Sequence, residues 1–297
     1  MVSDTRPSTH LILRSGRGTE NRQVRATIHL SCNLPWICFN EVMKRHFPHS
    51  VPFPACLIPF ARFACFALGT LLSSCFSIPS HSADFGELRH ELVEEVVAAA
   101  REDGFPLSPS VVKAMEKVER HLFVPAWLVP FAYYNNPLPI GHGQTISQPV
   151  VVALMTELLN VKSGDKVLEV GTGSGYQAAV LAEIAKSVYS IEVIEPLEKQ
   201  ASERLKSLGY DNVTVKMGDG YYGWPDAAPF DGIIVTAATG QVPPPLLKQL
   251  KPGGRMVIPL GMQFMTQYLM LVEKRPDGSV TTRQIVPVAF VPLTGGH

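Results

Sequence analysis

Hydrophobic residues recur with helical spacing in residues 85–103, where charged residues separate them. This pattern predicts an amphipathic helix that ends at Gly104. Ser108 and Pro109 then predict the N-cap and the first position of a second helix, which has its own apolar stripe. The following segment, 120–143, has no period and is rich in proline, so we expect a loop there.

From residue 164 the pattern changes, because short apolar runs now alternate with helical periods. Helices are predicted at 150–159, 176–184, 196–208 and 243–250, parallel strands at 166–170, 187–193, 213–217, 230–236 and 255–259, and a turn at 251–254. Asp277-Gly278 between two further strand-like runs, 267–274 and 281–287, predicts an antiparallel hairpin. The predicted fold is α/β: a doubly wound, mostly parallel seven-stranded sheet with an antiparallel C-terminal hairpin and N-terminal helices.

The first 83 residues have a different character. Residues 1–42 are polar and aperiodic, which is typical of a disordered tail or of sequence outside the functional protein. Within 43–83, an uncharged run from 63 to 78 is too short for a membrane span of about 20 residues but suits the core of a secretory signal. Cys75 ends a stretch that resembles a lipoprotein cleavage box. We therefore expect one folded domain at 84–297, and the interpretation leaves open whether 43–83 directs export or is a mildly apolar extension.

Composition narrows the function. The 26 basic and 26 acidic residues balance, so we expect no electrostatic binding of nucleic acid. All five cysteines lie at or before Cys75, and none has the spacing of a metal site, so neither a structural zinc nor a disulfide framework is expected in the folded part.

The predicted strand at 166–170 is followed by Gly171, Gly173 and Gly175 and then by a predicted helix. A glycine turn of this kind brings bare backbone and a helix N-terminus close to a ligand. Tyr176 stands where a dinucleotide fingerprint has its third glycine, which weakens a nicotinamide interpretation.

Polar residues also follow the neighbouring predicted strands. Glu192 ends the second strand, where a carboxylate accepts ribose hydroxyls. Asp219 and Gly220 follow the third strand, where Asp219 could accept from an adenine amino group, and Glu169 lies at the tip of the first, where an ammonium group could be met. Together these positions favour a nucleoside with an amino-acid tail, and we predict S-adenosyl-L-methionine as the cofactor.

The segment 141–149 places small and polar groups just before a predicted helix, which favours an anionic ligand. A simpler interpretation is that Ser147 only caps that helix. His121 and His142 are also candidate bases, although a lone histidine is more often a packed or surface residue.

From about residue 85 to 297 the chain resembles the protein-L-isoaspartate O-methyltransferase family. The resemblance rests on the segments 137–149, 167–176, 189–192, 218–220, 250–261 and 290–294. The run Gly-Gln-Thr-Ile-Ser-Gln-Pro at 143–149 is specific to this family, whereas many methyltransferases share the glycine turn.

This resemblance implies a repair reaction on damaged proteins and peptides. The enzyme would methylate the free α-carboxylate of an L-isoaspartyl residue, and the ester would then collapse through a succinimide towards normal aspartate. It implies that Ser147 carries the essential hydroxyl and that Glu192 binds the ribose. The other implied cofactor contacts are Gln144, Thr145, Ile146, Asp219, Gly220 and Thr294.

Some features leave the interpretation open. Asn135 and Asn136 stand where the family tends to have acidic residues, and Ala289 where bacterial members often have arginine, so the peptide preference is not fixed. A methyltransferase with another substrate, or a cofactor-binding module without catalysis, are the alternatives. We expect a monomer, located in the cytoplasm by family default, or periplasmic or lipid-anchored if 43–83 acts as a signal.

Overall fold

The computed structural model describes residues 84–262 and 264–296. The predictions for residues 1–83, including the signal-like segment, lie outside the described residues. In the described part no helix is long and apolar enough to cross a membrane. The same residues contain no cluster of three or more histidine, cysteine, aspartate or glutamate side chains that could hold a metal ion.

Two helices open the described part, as predicted. Helix α1 spans Phe85–Glu102, and the Asp84 carboxylate accepts the backbone N–H of Gly86 at 2.8 Å. Helix α2 spans Pro109–Lys117, with Ser108 at the N-cap. The Ser108 side chain makes no capping bond; instead its backbone N–H donates to Glu157 at 2.7 Å, which ties α2 to a later helix.

The segment predicted as a loop is more ordered than expected. It contains two 3₁₀ turns, Arg120–Phe123 and Ala126–Phe131, and a two-stranded antiparallel hairpin of β1 (Leu138–Gly141) and β2 (Gln144–Ile146). The loop prediction was wrong over the hairpin, because its strands have only four and three residues and so are too short to show an alternating pattern. Gly141, His142 and Gly143 have φ values of 92°, 53° and 72°, a left-handed backbone that glycine tolerates readily.

The main sheet confirms the predicted fold class. Its strands are β3 (Lys166–Val170), β4 (Ser187–Glu192), β5 (Val213–Met217), β6 (Phe230–Val235), β7 (Leu250–Leu260), β8 (Gln267–Lys274) and β9 (Val280–Val288). They lie in the order β5-β4-β3-β6-β7-β8-β9, parallel as far as β7 and antiparallel at β8 and β9. The helices that accompany them are α3 (Pro149–Leu159), α4 (Tyr176–Ala182), α5 (Glu195–Ser207) and α6 (Pro244–Gln249).

One turn prediction was wrong. Residues 251–254 belong to β7, which begins five residues earlier than predicted, at Leu250. The pairing of β6 with β7 jumps from Leu250 to Arg255 while β6 advances only from Phe230 to Gly232, so residues 251–254 form an irregularity at the start of the strand, with Gly253 at a φ of 83°.

The parallel strands are buried on both faces, as is usual when helices cover a sheet. Val167, Ile234 and Val257 pack on one side, and Leu168 and Ile233 pack in a second cluster on the other. The chain runs from β3 outward to β4 and β5 and then returns to β6 on the other side of β3. Ligands of such sheets bind at the carboxyl ends of the strands where the order reverses, here beside β3.

Candidate active site

A pocket lies at this reversal point, beyond the carboxyl ends of β3, β4 and β6. Ten of the predicted site residues line it: Gln144, Thr145, Ile146, Ser147, Glu169, Gly171, Gly173, Glu192, Gly220 and Thr294. The lining does not include Gly175 or Asp219. Residues that the sequence predicted in five separate segments are thus brought to one cavity.

The glycine turn has the geometry that its sequence predicts. Gly171, Gly173 and Gly175 all have a left-handed backbone, with φ of 99°, 53° and 87°. A Cβ atom on Gly171 would overlap the Thr236 hydroxyl, which donates to Gly171 O at 2.6 Å and so fixes the turn to the end of β6. A Cβ on Gly175 would instead crowd Leu205 of α5, so Gly175 serves the packing of helices behind the pocket.

Glu169 is the most unusual group in the pocket. It is 0% exposed, and its Oε2 accepts a hydrogen bond from Ser190, whose hydroxyl lies 2.6 Å from that of Thr172 in the glycine turn. Its Oε1 has no partner among the described residues. Burial raises the pKa of Glu169 to about 8, against which the Ser190 bond acts only in part. The pocket therefore holds a carboxyl group with an unused acceptor oxygen.

Glu192 lies at the pocket edge and is held by backbone groups. Its Oε2 accepts from Gly173 N at 2.8 Å, and its Oε1 accepts from Val193 N at 2.9 Å and Ile194 N at 3.0 Å. A carboxylate has about four lone-pair positions, so it can still accept from hydroxyl groups of a ligand. Glu192 thus braces the glycine turn and remains suited to the ribose contact predicted for it.

Asp219 lies beside the pocket rather than in its wall. Its carboxylate accepts from Tyr221 N at 3.0 Å and from Gly296 N at 2.9 Å, so it holds the C-terminal segment that brings Thr294 to the cavity. The neighbouring Gly220 does line the cavity, and a Cβ there would overlap Val170. Contact of Asp219 with an adenine stays a prediction.

Ser147 connects β2 to α3, and it does not cap α3. The N-cap is Gln148, so the interpretation of Ser147 as only a helix cap was wrong. The Val150 N–H near the start of α3 donates instead to Asn135 Oδ1 at 3.1 Å. Another side chain therefore satisfies this donor, and Ser147, between the hairpin and the helix, lines the pocket.

Neither candidate histidine lines the pocket. The His121 ring stacks on Phe85 with centroids 4.1 Å apart, and its Nδ1 lies 2.7 Å from the Tyr133 hydroxyl. Burial lowers the pKa of His121, which favours a neutral, packed ring. His142 occupies the hairpin turn.

Sequence reasoning missed several residues of the pocket wall, among them Tyr176, Thr236 and Ala237 and the segment 291–293. Thr236 had a usable signal, since it follows the apolar run that forms β6, the strand adjacent to the reversal point. Tyr176 was noted only as a departure from a dinucleotide fingerprint.

The site and the fold can now be compared with known proteins. A model of the protein-L-isoaspartate(D-aspartate) O-methyltransferase family matches residues 91–297. A relative from Nitrosospira multiformis, named protein-L-isoaspartate O-methyltransferase 1, is 70% identical over 231 residues, which cover 78% of this chain and 97% of the relative. The chain belongs to the protein-L-isoaspartate O-methyltransferase family.

Two solved structures agree with this membership. One, a protein-L-isoaspartate O-methyltransferase, is 29% identical with a TM-score of 0.63, and the match covers 70% of this chain and 66% of that one. A candidate enzyme of the same kind from Plasmodium falciparum, in complex with S-adenosyl-L-homocysteine, is 25% identical with a TM-score of 0.58, covering 68% of this chain and 97% of that one. These likenesses confirm the methyltransferase sheet.

S-adenosyl-L-methionine is the methyl donor of this family, and the residues of the pocket fit it. The unused oxygen of Glu169 suits the ammonium of its amino-acid part. Gly171 of the glycine turn and Gly220 after β5 both leave bare backbone at the cavity wall, and neither could carry a side chain, because a Cβ there would overlap Thr236 or Val170.

Proposed function

We propose that Ser147 is the catalytic residue of a protein-repair methyltransferase and that it orients the carboxylate that receives the methyl group. Family membership gives the reaction: a methyl group passes from S-adenosyl-L-methionine to the free α-carboxylate of an L-isoaspartyl residue. The observation that carries the role of Ser147 is its position. It lies in the family's own loop, and that loop lines the same cavity as the glycine turn.

The cofactor contacts are proposed residue by residue. Glu169 takes the ammonium group and Glu192 the ribose hydroxyls, while Asp219 and Gly220 lie at the adenine end. The remaining contacts come from Gln144, Thr145, Ile146, Gly171, Gly173 and Thr294, with Gly175 supporting the turn from behind. The cofactor supplies an electrophilic methyl group on a sulfonium, which is a good leaving group.

The protein's own contribution is placement. An α-carboxylate is already ionised at neutral pH, so the reaction needs no strong general base. A hydroxyl that donates to one carboxylate oxygen restricts the orientation of the other, and restricting two reactants in this way can lower a barrier by several kcal/mol. The absence of His121 and His142 from the pocket lining suits a mechanism of this kind.

We further propose that residues 84–297 form one methyltransferase domain that acts as a monomer and does not bind nucleic acid. The balance of 26 basic and 26 acidic residues supports the last point, since a nucleic-acid surface needs an excess of positive charge.

A pair of matched peptides tests the proposed substrate. The protein is incubated with labelled S-adenosyl-L-methionine and a peptide that carries one L-isoaspartyl residue, beside the same peptide with normal aspartate. We expect label only in the isoaspartyl peptide, as a base-labile methyl ester. Equal labelling of both peptides, or of neither, would contradict the proposal.

A further inference from the structure

Arg120 is a buried cation that the proposed reaction does not use. Its side chain is 0% exposed and lies outside the pocket lining. Its Nε donates to Ala132 O at 3.0 Å and its Nη2 to Asn136 O at 3.1 Å, while Nη1 has no partner among the described residues. The described partners are thus backbone carbonyls and not carboxylates. Burying a cation in this way costs several kcal/mol, so its presence in the core calls for an explanation.

The guanidinium remains charged despite its surroundings. Burial lowers the pKa of Arg120 to about 10, and Tyr176 opposes part of that change. The guanidinium carbon lies 4.9 Å from the centroid of the Tyr176 ring, a cation–π contact that partly replaces the lost hydration. Tyr176 is itself buried and lines the cofactor pocket at the start of α4. One face of Arg120 therefore touches the wall of the active site.

The other side of Arg120 holds the segment 132–136, which leads to Ser147 through Asn135. The Asn135 backbone O accepts from Gln148 Nε2 at 2.9 Å, and its Oδ1 accepts from Val150 N at 3.1 Å. Gln148 directly follows Ser147. The carbonyls that Arg120 holds lie on both sides of Asn135, so the contacts run without a gap from the arginine to the start of α3.

We infer that Arg120 is a positioning residue for methyl transfer: it links segment 132–136 to Tyr176, and Asn135 passes that placement on to Ser147 through Gln148. This inference rests on the proposed role of Ser147. The geometry calls for arginine, because the planar guanidinium directs separate N–H groups at two carbonyls and stacks on a ring. A lysine ammonium keeps the charge but offers no such planar fork.

The test compares Arg120→Met and Arg120→Lys with the wild-type protein, and uses Arg255→Met as the matched control. Arg255 also donates to a backbone carbonyl, Leu158 O at 3.3 Å, and it pairs with Glu273 at 3.0 Å, where β7 begins its pairing with β8; it does not line the pocket. Methionine is a fair replacement, since apolar residues of similar volume often substitute for buried charges without loss of stability. The amount of folded protein is set by titration with S-adenosyl-L-homocysteine.

For both Arg120 variants we expect kcat per binding site to fall on the order of tenfold, with KM for the isoaspartyl peptide changed by less than about threefold, because an interaction lost only in the transition state lowers kcat. Lysine should not restore the rate, and Arg255→Met should stay within about twofold of the wild type. Unchanged kcat in folded Arg120→Met would overturn the inference, and so would full rescue by lysine.

A double-mutant cycle separates positioning from a general structural effect. If Arg120 acts through Ser147, Arg120→Met should cost less than about twofold when Ser147 is already alanine. The same loss in both backgrounds would overturn the inference. Should Arg120→Met fail to fold, Asn135→Ala takes its place, with the same expected loss and the same non-additivity. Ser147→Ala alone tests the proposed function, so its failure is visible apart from that of Arg120.

Discussion

Two carboxyl groups at opposite edges of the same sheet differ in almost every physical respect. Asp231 lies near the amino end of β6. Its carboxylate accepts hydrogen bonds from the backbone N–H of Lys166 at 2.8 Å and from the Lys251 ammonium at 2.6 Å. Glu169, near the carboxyl end of β3, has only Ser190 and leaves one oxygen without a partner among the described residues. Partial burial works against ionisation of Asp231, but these donors hold its pKa below the ordinary value, whereas burial raises the pKa of Glu169 to about 8.

This contrast shows how the sheet divides its tasks. An acid whose partners are all supplied by the protein adds to stability and has little left to offer a ligand. A buried acid with a missing partner lowers stability, and such a group is usually kept because something else binds it. We call the side of the sheet where the parallel strands begin the amino edge, and the side where they end the carboxyl edge. In this pair of groups, the one at the amino edge serves stability and the one at the carboxyl edge is suited to binding.

The largest expected effect belongs to the carboxyl edge. Ser147→Ala should lower turnover on the order of 10²-fold, because the variant loses a group that aligns the reacting carboxylate. Affinity for S-adenosyl-L-homocysteine and the melting temperature should stay close to wild type, which calorimetry and thermal unfolding measure. Unchanged turnover would remove Ser147 from the reaction.

The next effect concerns Glu169 and pH. Because the pKa of Glu169 is raised, its carboxyl group stays protonated in the folded protein below about pH 8, and a bound ammonium favours release of that proton. Affinity for S-adenosyl-L-homocysteine should therefore rise from about pH 6 to pH 7.5, with a proton released on binding. Glu169→Gln should weaken binding roughly tenfold at the upper end of this range and abolish the release, because it cannot ionise.

Calorimetry in two buffers of different ionisation enthalpy measures the number of protons released on binding.

The stability of the ligand-free protein gives a second check on the pKa of Glu169. Because the pKa of Glu169 is higher in the folded than in the unfolded chain, its contribution should fall as pH rises from about 4.5 to about 8. The stability of Glu169→Gln relative to the wild type should therefore rise as pH increases over this window. Equal proton release by both proteins would show that Glu169 is not the group that meets the ligand.

The smallest effect is expected at the amino edge. Asp231→Asn should cost about 1 kcal/mol of unfolding free energy at neutral pH, since the pair with Lys251 is partly exposed and screened. Its folded pKa is depressed, so the loss should shrink as pH falls below about 4, where the wild-type carboxylate also becomes protonated. Urea unfolding at several pH values measures this, and turnover per folded molecule should stay within twofold. A large loss of turnover would break the division between the two edges.

Local patterns predicted most of the sheet. The bounds of β3, β5 and β8 agree with the sequence, because apolar runs between glycines and charges are local signals. The glycine turn and Glu192 were found in the same way, as features that directly follow a strand. The parallel direction of the strands up to β7 followed from the alternation of strand and helix.

What the sequence could not predict depends on contacts between distant segments. Asn135 satisfies a donor at the start of α3, which left Ser147 out of the N-cap. Asp219 accepts from Gly296, which lies 77 residues later in the chain. Arg120 begins the segment that was predicted as a loop, and only its burial and its contact with Tyr176 distinguish it from an ordinary charged residue. None of these pairs has a spacing that a periodic pattern could reveal.

The pocket wall draws on segments from Gln144 to Thr294, because it takes residues from β2, α3, β3, α4 and β4 and from the segment that follows β9. Contacts between segments so far apart in sequence are slow to form, and the wall is complete only when the C-terminal residues 291–294 are in place. The same arrangement affects the stability of the folded enzyme. Because the wall joins segments from both ends of the domain, we expect a bound cofactor to oppose unfolding of the domain by mass action. An ample supply of methyl donor should therefore also stabilise the folded enzyme that uses it.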